Sequence, residues 1–218
     1  MKIKDSVALV TGSNRGIGRQ FVAALLESRA RRVYVAARRS ATLKQVVALD
    51  PTRVVAVQLD ITRPREVEAV ARATQDLTLL INNAGVATFA TIRDTSMEAI
   101  TREMDTNYFG MLRVIRACLP ALEKNGAGTV VNILSIAALA GMPGLGGYSA
   151  SKAAAFSMTQ ALRGVSSRRK ASACTGCFRA LWTRTWPAMS RRRRPMRWKS
   201  CAPCSTALKP APTTFFPT

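Results

Sequence analysis

Val10-Thr11-Gly12-Ser13-Asn14-Arg15-Gly16-Ile17-Gly18 is the stretch on which the fold turns. It follows an apolar run, Ser6–Val10, short enough to be a buried strand. It opens Gly18–Ser28, where apolar residues recur at helical spacing. Glycines at 12, 16 and 18 allow a tight turn, close approach of a bulky anion, and close packing of helix on strand. The helix would then aim its first N–H groups at a phosphate. A plain turn is the competing account. The strand before and the amphipathic helix after favour a dinucleotide cradle, in which Gly12, Gly16 and Gly18 make room for the pyrophosphate.

Outward from this loop the same alternation continues. Arg32–Ala36, Val54–Gln58, Leu77–Ile81 and Thr129–Leu134 are rich in Val, Ile and Leu and suit buried parallel strands. Ala41–Leu49, Arg63–Thr74 and Met104–Glu123 carry the helical period. Alternation at this pitch predicts an α/β fold, a Rossmann-like doubly wound parallel sheet with helices on both faces and right-handed crossovers. Ligands of such sheets bind beyond the carboxyl ends of the strands, which is where the polar motifs fall.

The second strand ends in Ala36-Ala37-Arg38-Arg39. An acid here would select NAD through the ribose 2′-hydroxyl, whereas arginine suits a 2′-phosphate, so Arg38, with Arg15 beside it, favours NADP over NAD. A solvated basic turn is the alternative. Asp60, followed by Ile61, closes the third strand and could accept from an adenine amine, cap the next helix, or do both. Asn82-Asn83-Ala84-Gly85 ends the fourth strand with small residues and paired amides, suited to backbone lying along a ribose or to a structural turn.

Ser135, Tyr148 and Lys152 hold the densest chemistry. Tyr and Lys four apart on a helix share one face. An ammonium near a phenol favours the phenolate and lowers a pKa that starts near 10. A tyrosine so tuned can exchange a proton with a substrate oxygen near neutral pH, and Ser135 could hold that oxygen. Alone, the Tyr–Lys pair would also fit a surface pair.

Taken together, Thr11-Gly12-x-x-x-Gly16-x-Gly18, Asn82-Asn83-Ala84-Gly85, Ser135 and Tyr148-x-x-x-Lys152 resemble the short-chain dehydrogenase/reductase family, in order and spacing, from Val7 to about Leu162. The resemblance implies hydride transfer between a nicotinamide cofactor and a carbonyl or secondary alcohol. It makes Tyr148 the general acid/base, Lys152 its pKa-lowering partner and ribose ligand, and Ser135 the group orienting the substrate oxygen. Asn107 becomes the support of a proton-relay water. Gly12, Asn14, Arg15, Gly16, Ile17, Gly18, Arg38, Asp60, Ile61, Asn83, Ala84 and Gly85 become cofactor residues beside Tyr148 and Lys152. A homo-oligomer pairing through Met104–Glu123 and Tyr148–Leu162 is implied as well. Cys118, on the first of these helices, reads as core rather than reactive. Ala138, Leu139, Met142 and Leu145 suggest an apolar substrate pocket, and the partner is a small carbonyl or alcohol compound.

Composition supports a globular chain. Of 218 residues, 48% are apolar and 21% charged, enough for a substantial core. There is no His, which excludes a Ser-His-Asp triad and any His-ligated metal; no metal site is expected. No signal peptide is visible, and the charge-free stretch Asn125–Ser151 is too broken by glycine to span a membrane, so the expectation is a soluble cytoplasmic protein.

The charge, a formal +21, is unevenly spread: all 12 acids lie between Asp5 and Glu123, while 13 basic residues and no acid follow from Arg163. By the family pattern, a sixth strand, a Pro-Gly-x-Val-x-Thr segment and a substrate-covering helix should follow Lys152. Ser166–Thr218 instead reads Arg-, Cys-, Trp- and Pro-rich, with none of these legible. Three accounts compete. Cys174-x-x-Cys177 and Cys201-x-x-Cys204 could form a zinc module, which with the next account gives a non-enzymatic alternative. A cationic tail around Arg191–Arg194 could bind nucleic acid. Translation out of frame from near Arg163–Ser166 is favoured over both. Codons for Ser167–Ala188 exist that, read from the third base of the first, spell A-P-Q-G-I-R-V-H-G-V-L-P-G-P-V-D-T-D-M-A-G, a strand and the missing Pro-Gly-x-Val-x-Thr. Trp182 and Trp198, each with one possible codon, fix a hidden Asp and a hidden Glu. On this account 1–163 is the NADP-binding domain and 164–218 is a tail with no domain of its own and no function of its own.

Overall fold

The computed structural model describes residues 3–126, 128–166 and 173–177, the side chains of 164–166 and 173–177 excepted. Trp182, Trp186, Trp198, Arg191–Arg194 and the Cys201–Cys204 pair lie outside the described residues.

β1 (Val7–Thr11) is buried at every position, because it lies in the middle of the sheet and is covered on both faces. Its alternate residues divide between two cores. Val7 and Leu9 join Met111, Ile115 and Leu122 on one face, while Ala8 and Val10 join Val22, Leu25 and Leu43 on the other. The remaining strands are β2 (Arg32–Ala37), β3 (Val54–Gln58), β4 (Leu79–Asn82), β5 (Thr129–Ile133) and β6 (Ala173–Cys177). All pair in parallel in the order β3-β2-β1-β4-β5-β6. The chain leaves the edge at β3 and returns beside β1 at β4. That reversal opens a crevice between the carboxyl ends of β1 and β4.

The helices are α1 (Gly16–Glu27), α2 (Lys44–Val47), α3 (Pro64–Ala73), α4 (Met97–Met104), α5 (Met111–Lys124) and α6 (Gly146–Ser166). α3 starts as its sequence dictates, with Pro64 in the first turn, where its missing N–H leaves nothing unpaired. Several expectations are corrected. The helix expected over Ala41–Leu49 is a 3₁₀ turn, Ser40–Leu43, followed by the single turn of α2. The helix expected from Met104 begins seven residues earlier, capped by Ser96 accepting from Ala99 N at 3.2 Å, and widens into a π turn over Asp105–Gly110 before α5. π turns commonly mark functional positions, and this one contains Asn107.

The sixth strand, read as missing, is present. β6 pairs with β5 from Thr129↔Ala173 to Ile133↔Cys177. This extended backbone also counts against a zinc knuckle there. Residues three apart in a strand have Cα atoms about 10 Å apart. Two thiolates on one zinc, each about 2.3 Å from the metal, need a turn between them. Among the described residues no cluster of three metal-ligating side chains occurs, and no helix is long and apolar enough to cross a membrane.

Candidate active site

The loops after β1 and β4 interlock at the crevice. Gly12 holds φ +63°, and a side chain on it would come within 2.9 Å of Ala84 Cα. Gly18, in the first turn of α1, is packed tighter still: a Cβ there would strike Gly12 O and lie 2.7 Å from both Asn83 Nδ2 and Ser13 Cα. Thr11 and Asn83 stitch the loops together. Thr11 Oγ1 accepts from the N–H groups of Asn83 and Ala84, both at 3.0 Å. Asn83 Nδ2 donates to Thr11 O at 3.0 Å and to Gly12 O at 2.9 Å.

α1 has no acidic residue in its first turn and no side-chain cap from Arg15, so a phosphate faces neither a competing carboxylate nor a capping side chain. Gly12 and Gly18 thus let the two loops and the start of α1 pack closely, and the uncapped first N–H groups of α1 suit a dinucleotide pyrophosphate. Gly18→Ala is therefore expected to cost about 1–3 kcal/mol of stability through overpacking against backbone and to remove cofactor binding; thermal melts and fluorescence titration check both.

A cleft of about 170 Å³ continues from the loop, lined by Ile17, Asn83, Gly85, Val86, Ala87, Ile133, Leu134, Tyr148 and Lys152. α6 brings the last two together one turn apart. Tyr148 is 7% and Lys152 4% exposed, with Lys152 Nζ 5.8 Å from the centre of the Tyr148 ring. Lys152 Nζ donates to Ile133 O at the end of β5 at 2.9 Å, which ties the helix to the sheet. Burial pushes its pKa down to about 8. At roughly 1.4 kcal/mol per unit, keeping the ammonium charged in the fold costs about 3 kcal/mol. The unfolded chain binds the extra proton between pH 8 and 10.5, so stability rises with pH across that window.

Other expected residues do not line the cleft. Ser135 is buried at the end of β5, its Oγ accepting from Ala137 N at 3.2 Å. Asn107, also buried, accepts at Oδ1 from Val86 N at 2.9 Å and donates at Nδ2 to Val86 O at 2.8 Å and Ser151 Oγ at 2.9 Å. Asp60 does not cap the next helix, whose N-cap is Arg63; its Oδ1 instead accepts from Thr62 N at 3.0 Å and Thr62 Oγ1 at 2.7 Å, closing the turn before α3. Ile61 puts its side chain in the core, where Gly110 leaves it room. Arg15 and Arg38 are exposed beyond the adjacent strands β1 and β2, and Asn14 is half-buried in the loop. Cys118 is core as expected, its thiol pushed up to about 12 by burial.

Leu145 and Tyr148 pack with Ala137, and a bridge between Ala90 and Leu145 closes that side. Thr11 entered the sequence reading only as the first residue of the glycine motif, with no role of its own, and two further polar side chains were not singled out. Ser13 bonds Ala36 O through both N–H, at 3.0 Å, and Oγ, at 3.3 Å. Glu103 lies in the stretch of α4 that had not been read as helix.

A doubly wound sheet with a glycine loop at its switch point, and a Tyr–Lys pair one helical turn apart in the adjoining cleft, defines a Rossmann-like class of protein. The chain belongs to the short chain dehydrogenase family, whose model matches residues 6–180. The match thus continues past Leu162, where the resemblance read from the motifs stopped, and takes in β6. The chain is 35% identical over 161 residues to a probable short-chain type dehydrogenase/reductase of Helicobacter pylori, covering 72% of this chain and 58% of that protein. It is 33% identical over 165 residues to a 3-alpha-(or 20-beta)-hydroxysteroid dehydrogenase of Mycobacterium bovis, covering 73% and 62%. A short chain dehydrogenase from Burkholderia cenocepacia, solved in complex with NADP, superposes with TM-score 0.75 at 41% identity, over 82% of this chain and 72% of that one. A relative from Burkholderia phymatum, solved with NAD, gives TM-score 0.78 at 26% identity, over 83% and 67%. The chain spans about three fifths of the length of the two curated relatives.

Proposed function

We propose that the chain is a carbonyl reductase or alcohol dehydrogenase that uses NADP(H). The juxtaposition of Tyr148 with the buried Lys152 in the cleft beside the glycine cradle carries this reading. Bound there, the nicotinamide cofactor would supply or accept the hydride. Gly12, Asn14, Gly16, Ile17 and Gly18 would hold the pyrophosphate with the first N–H groups of α1. Asn83, Ala84 and Gly85 would lie along the ribose, and Asp60 and Ile61 at the adenine. Tyr148 would give its phenolic proton to the substrate oxygen during reduction. Lys152 would favour the phenolate left behind by placing a cation near it, and Ser135 would orient the same oxygen. Asn107 would keep Val86 in place along the cleft and support the proton path.

Arg15 and Arg38 suit a 2′-phosphate, since guanidinium forks match phosphate oxygens. The relatives divide on this point, one solved with NADP and another with NAD. Titration with NADPH and NADH, followed by turnover of a simple ketone, tests the whole reading; a chain that binds neither cofactor overturns it. Arg38→Leu is expected to raise the NADPH Kd about tenfold and leave that for NADH unchanged. Equal effects on both would place Arg38 outside the 2′-phosphate site.

We also propose that residues from 164 onward are out of frame, so that the chain departs from the reductase's own sequence near 163. The hidden Pro-Gly-x-Val-x-Thr segment and the lack of any acid after Glu123 support this. β6 fits either frame, because the shifted strand falls over the same positions. The coding DNA from codon 160 to the stop decides it. A shifted frame that fails to spell the segment overturns this account.

A further inference from the structure

Among the described residues two charged side chains are buried, Lys152 and Glu103. The reductase site uses the first. The second lies in the last turn of α4, four residues before Asn107, and is 0% exposed.

Its surroundings give it a task. The segment 85–88 leaves β4 along the cleft and belongs to no strand or helix, so its backbone groups need partners from elsewhere. Asn107 takes both the N–H and the C=O of Val86. Two residues on, Glu103 Oε1 accepts from Thr88 N at 2.5 Å. Side chains four apart on one helical stretch thus hold alternate residues of the segment, as a neighbouring strand would. The other carboxylate oxygen, Oε2, has no hydrogen-bond partner among the described residues and lies 2.5 Å from where a Cβ on Gly147 would be. Gly147 is in the first turn of α6, next to Tyr148, at the end of the helix where its dipole favours negative charge. The absence of a side chain at 147 lets the carboxylate reach that turn.

We infer that Glu103 is a positioning residue of the reductase: it fixes the wall formed by Gly85, Val86 and Ala87 against the turn of α6 that carries Tyr148. This inference rests on the reductase reading above. It is tested with the full chain by measuring NADPH Kd, kcat at saturating NADPH, melting temperature and hydrogen exchange at the Thr88 amide. Glu103→Ala is expected to raise Kd and lower kcat about tenfold each and to expose the Thr88 amide to exchange, because it leaves that N–H unpaired. Glu103→Gln retains an acceptor oxygen and is expected to stay within about threefold of the unaltered chain on both constants. Thr88→Pro, which deletes the N–H and spares the carboxylate, should raise Kd as Glu103→Ala does; it also serves if Glu103→Ala fails to fold.

A lower melting temperature with Kd and kcat unchanged in Glu103→Ala overturns the inference. So does Glu103→Gln behaving like Glu103→Ala. No NADPH binding by the unaltered chain would instead overturn the reductase reading, and the Thr88 amide exchange would still report whether Glu103 holds the wall.

Discussion

Tyr148→Phe is expected to lower kcat for ketone reduction by about 10³-fold and leave the NADPH Kd within about threefold, since proton transfer by a positioned side chain contributes about 10²–10⁴. The substitution removes one oxygen and one proton from a ring that is 7% exposed and packed on Ala137 and Leu145. Phe fills the same volume, so the fold should survive. The pH dependence separates the roles of the pair. With its pKa at about 8, Lys152 loses its ammonium as pH rises through the mildly alkaline range. If that cation sustains the phenolate, kcat/KM for reduction falls above about pH 8, while stability rises over the same range for the reason worked out above. Activity and stability moving together with pH would remove Lys152 from the proposed role. A Tyr148→Phe variant that retains a tenth or more of the activity would remove Tyr148.

What could be read in the chain, and what could not, follows from how far each signal reaches. The glycine loop is local: Gly12 and Gly18 meet obstacles within a few residues of chain or on the adjoining strand loop, and the spacing of three glycines records that. Tyr148 and Lys152 are likewise fixed by one helical turn. Glu103 was invisible for a different reason. Its partners, Thr88 and Gly147, lie 15 residues before it and 44 after, and the amphipathic turn that carries it is interrupted by the π turn at Asp105–Gly110. The helix was read as starting at Met104, one residue after Glu103, whereas α4 begins at Met97 and runs into the π turn. β6 failed on composition. Ala-Cys-Thr-Gly-Cys has almost no strand preference of its own. Its place beside β5 comes from long-range parallel pairing, which no short window registers. Ser135 and Asn107 were found by motif, yet their bonds to Ala137 and Val86 required the fold.

Replacing residues 164–218 with the sequence spelled by the shifted frame is expected to raise kcat/KM for ketone reduction at least about tenfold. The physical reason lies at the substrate side of the cleft. Phe89, Ile92, Leu139 and Met142, on the two segments joined by the Ala90–Leu145 bridge, are between 43% and 64% exposed. Large apolar side chains left in water around a proton-transfer site cost burial free energy of about 25 cal/mol per Å². A substrate oxygen bound on that exposed side would share it with water, where electrostatic interactions are weakest, although Tyr148 and Lys152 themselves are 7% and 4% exposed. The shifted sequence places Pro-Gly-x-Val-x-Thr directly after the sixth strand, at the carboxyl end where ligands of such sheets bind. The printed sequence follows the strand with Phe178, Arg179 and Ala180, and 11 further basic residues occur from Arg168 to the end apart from Arg179. A segment that closes over the cleft would bury those apolar groups, raise the melting temperature and exclude water together. The two chains should be compared for NADPH Kd, kcat/KM and melting temperature. Gains in all three support a cover over the cleft. Equal activity in both would mean that residues 1–163, with β6, make a complete reductase site, and the out-of-frame account would lose its functional consequence.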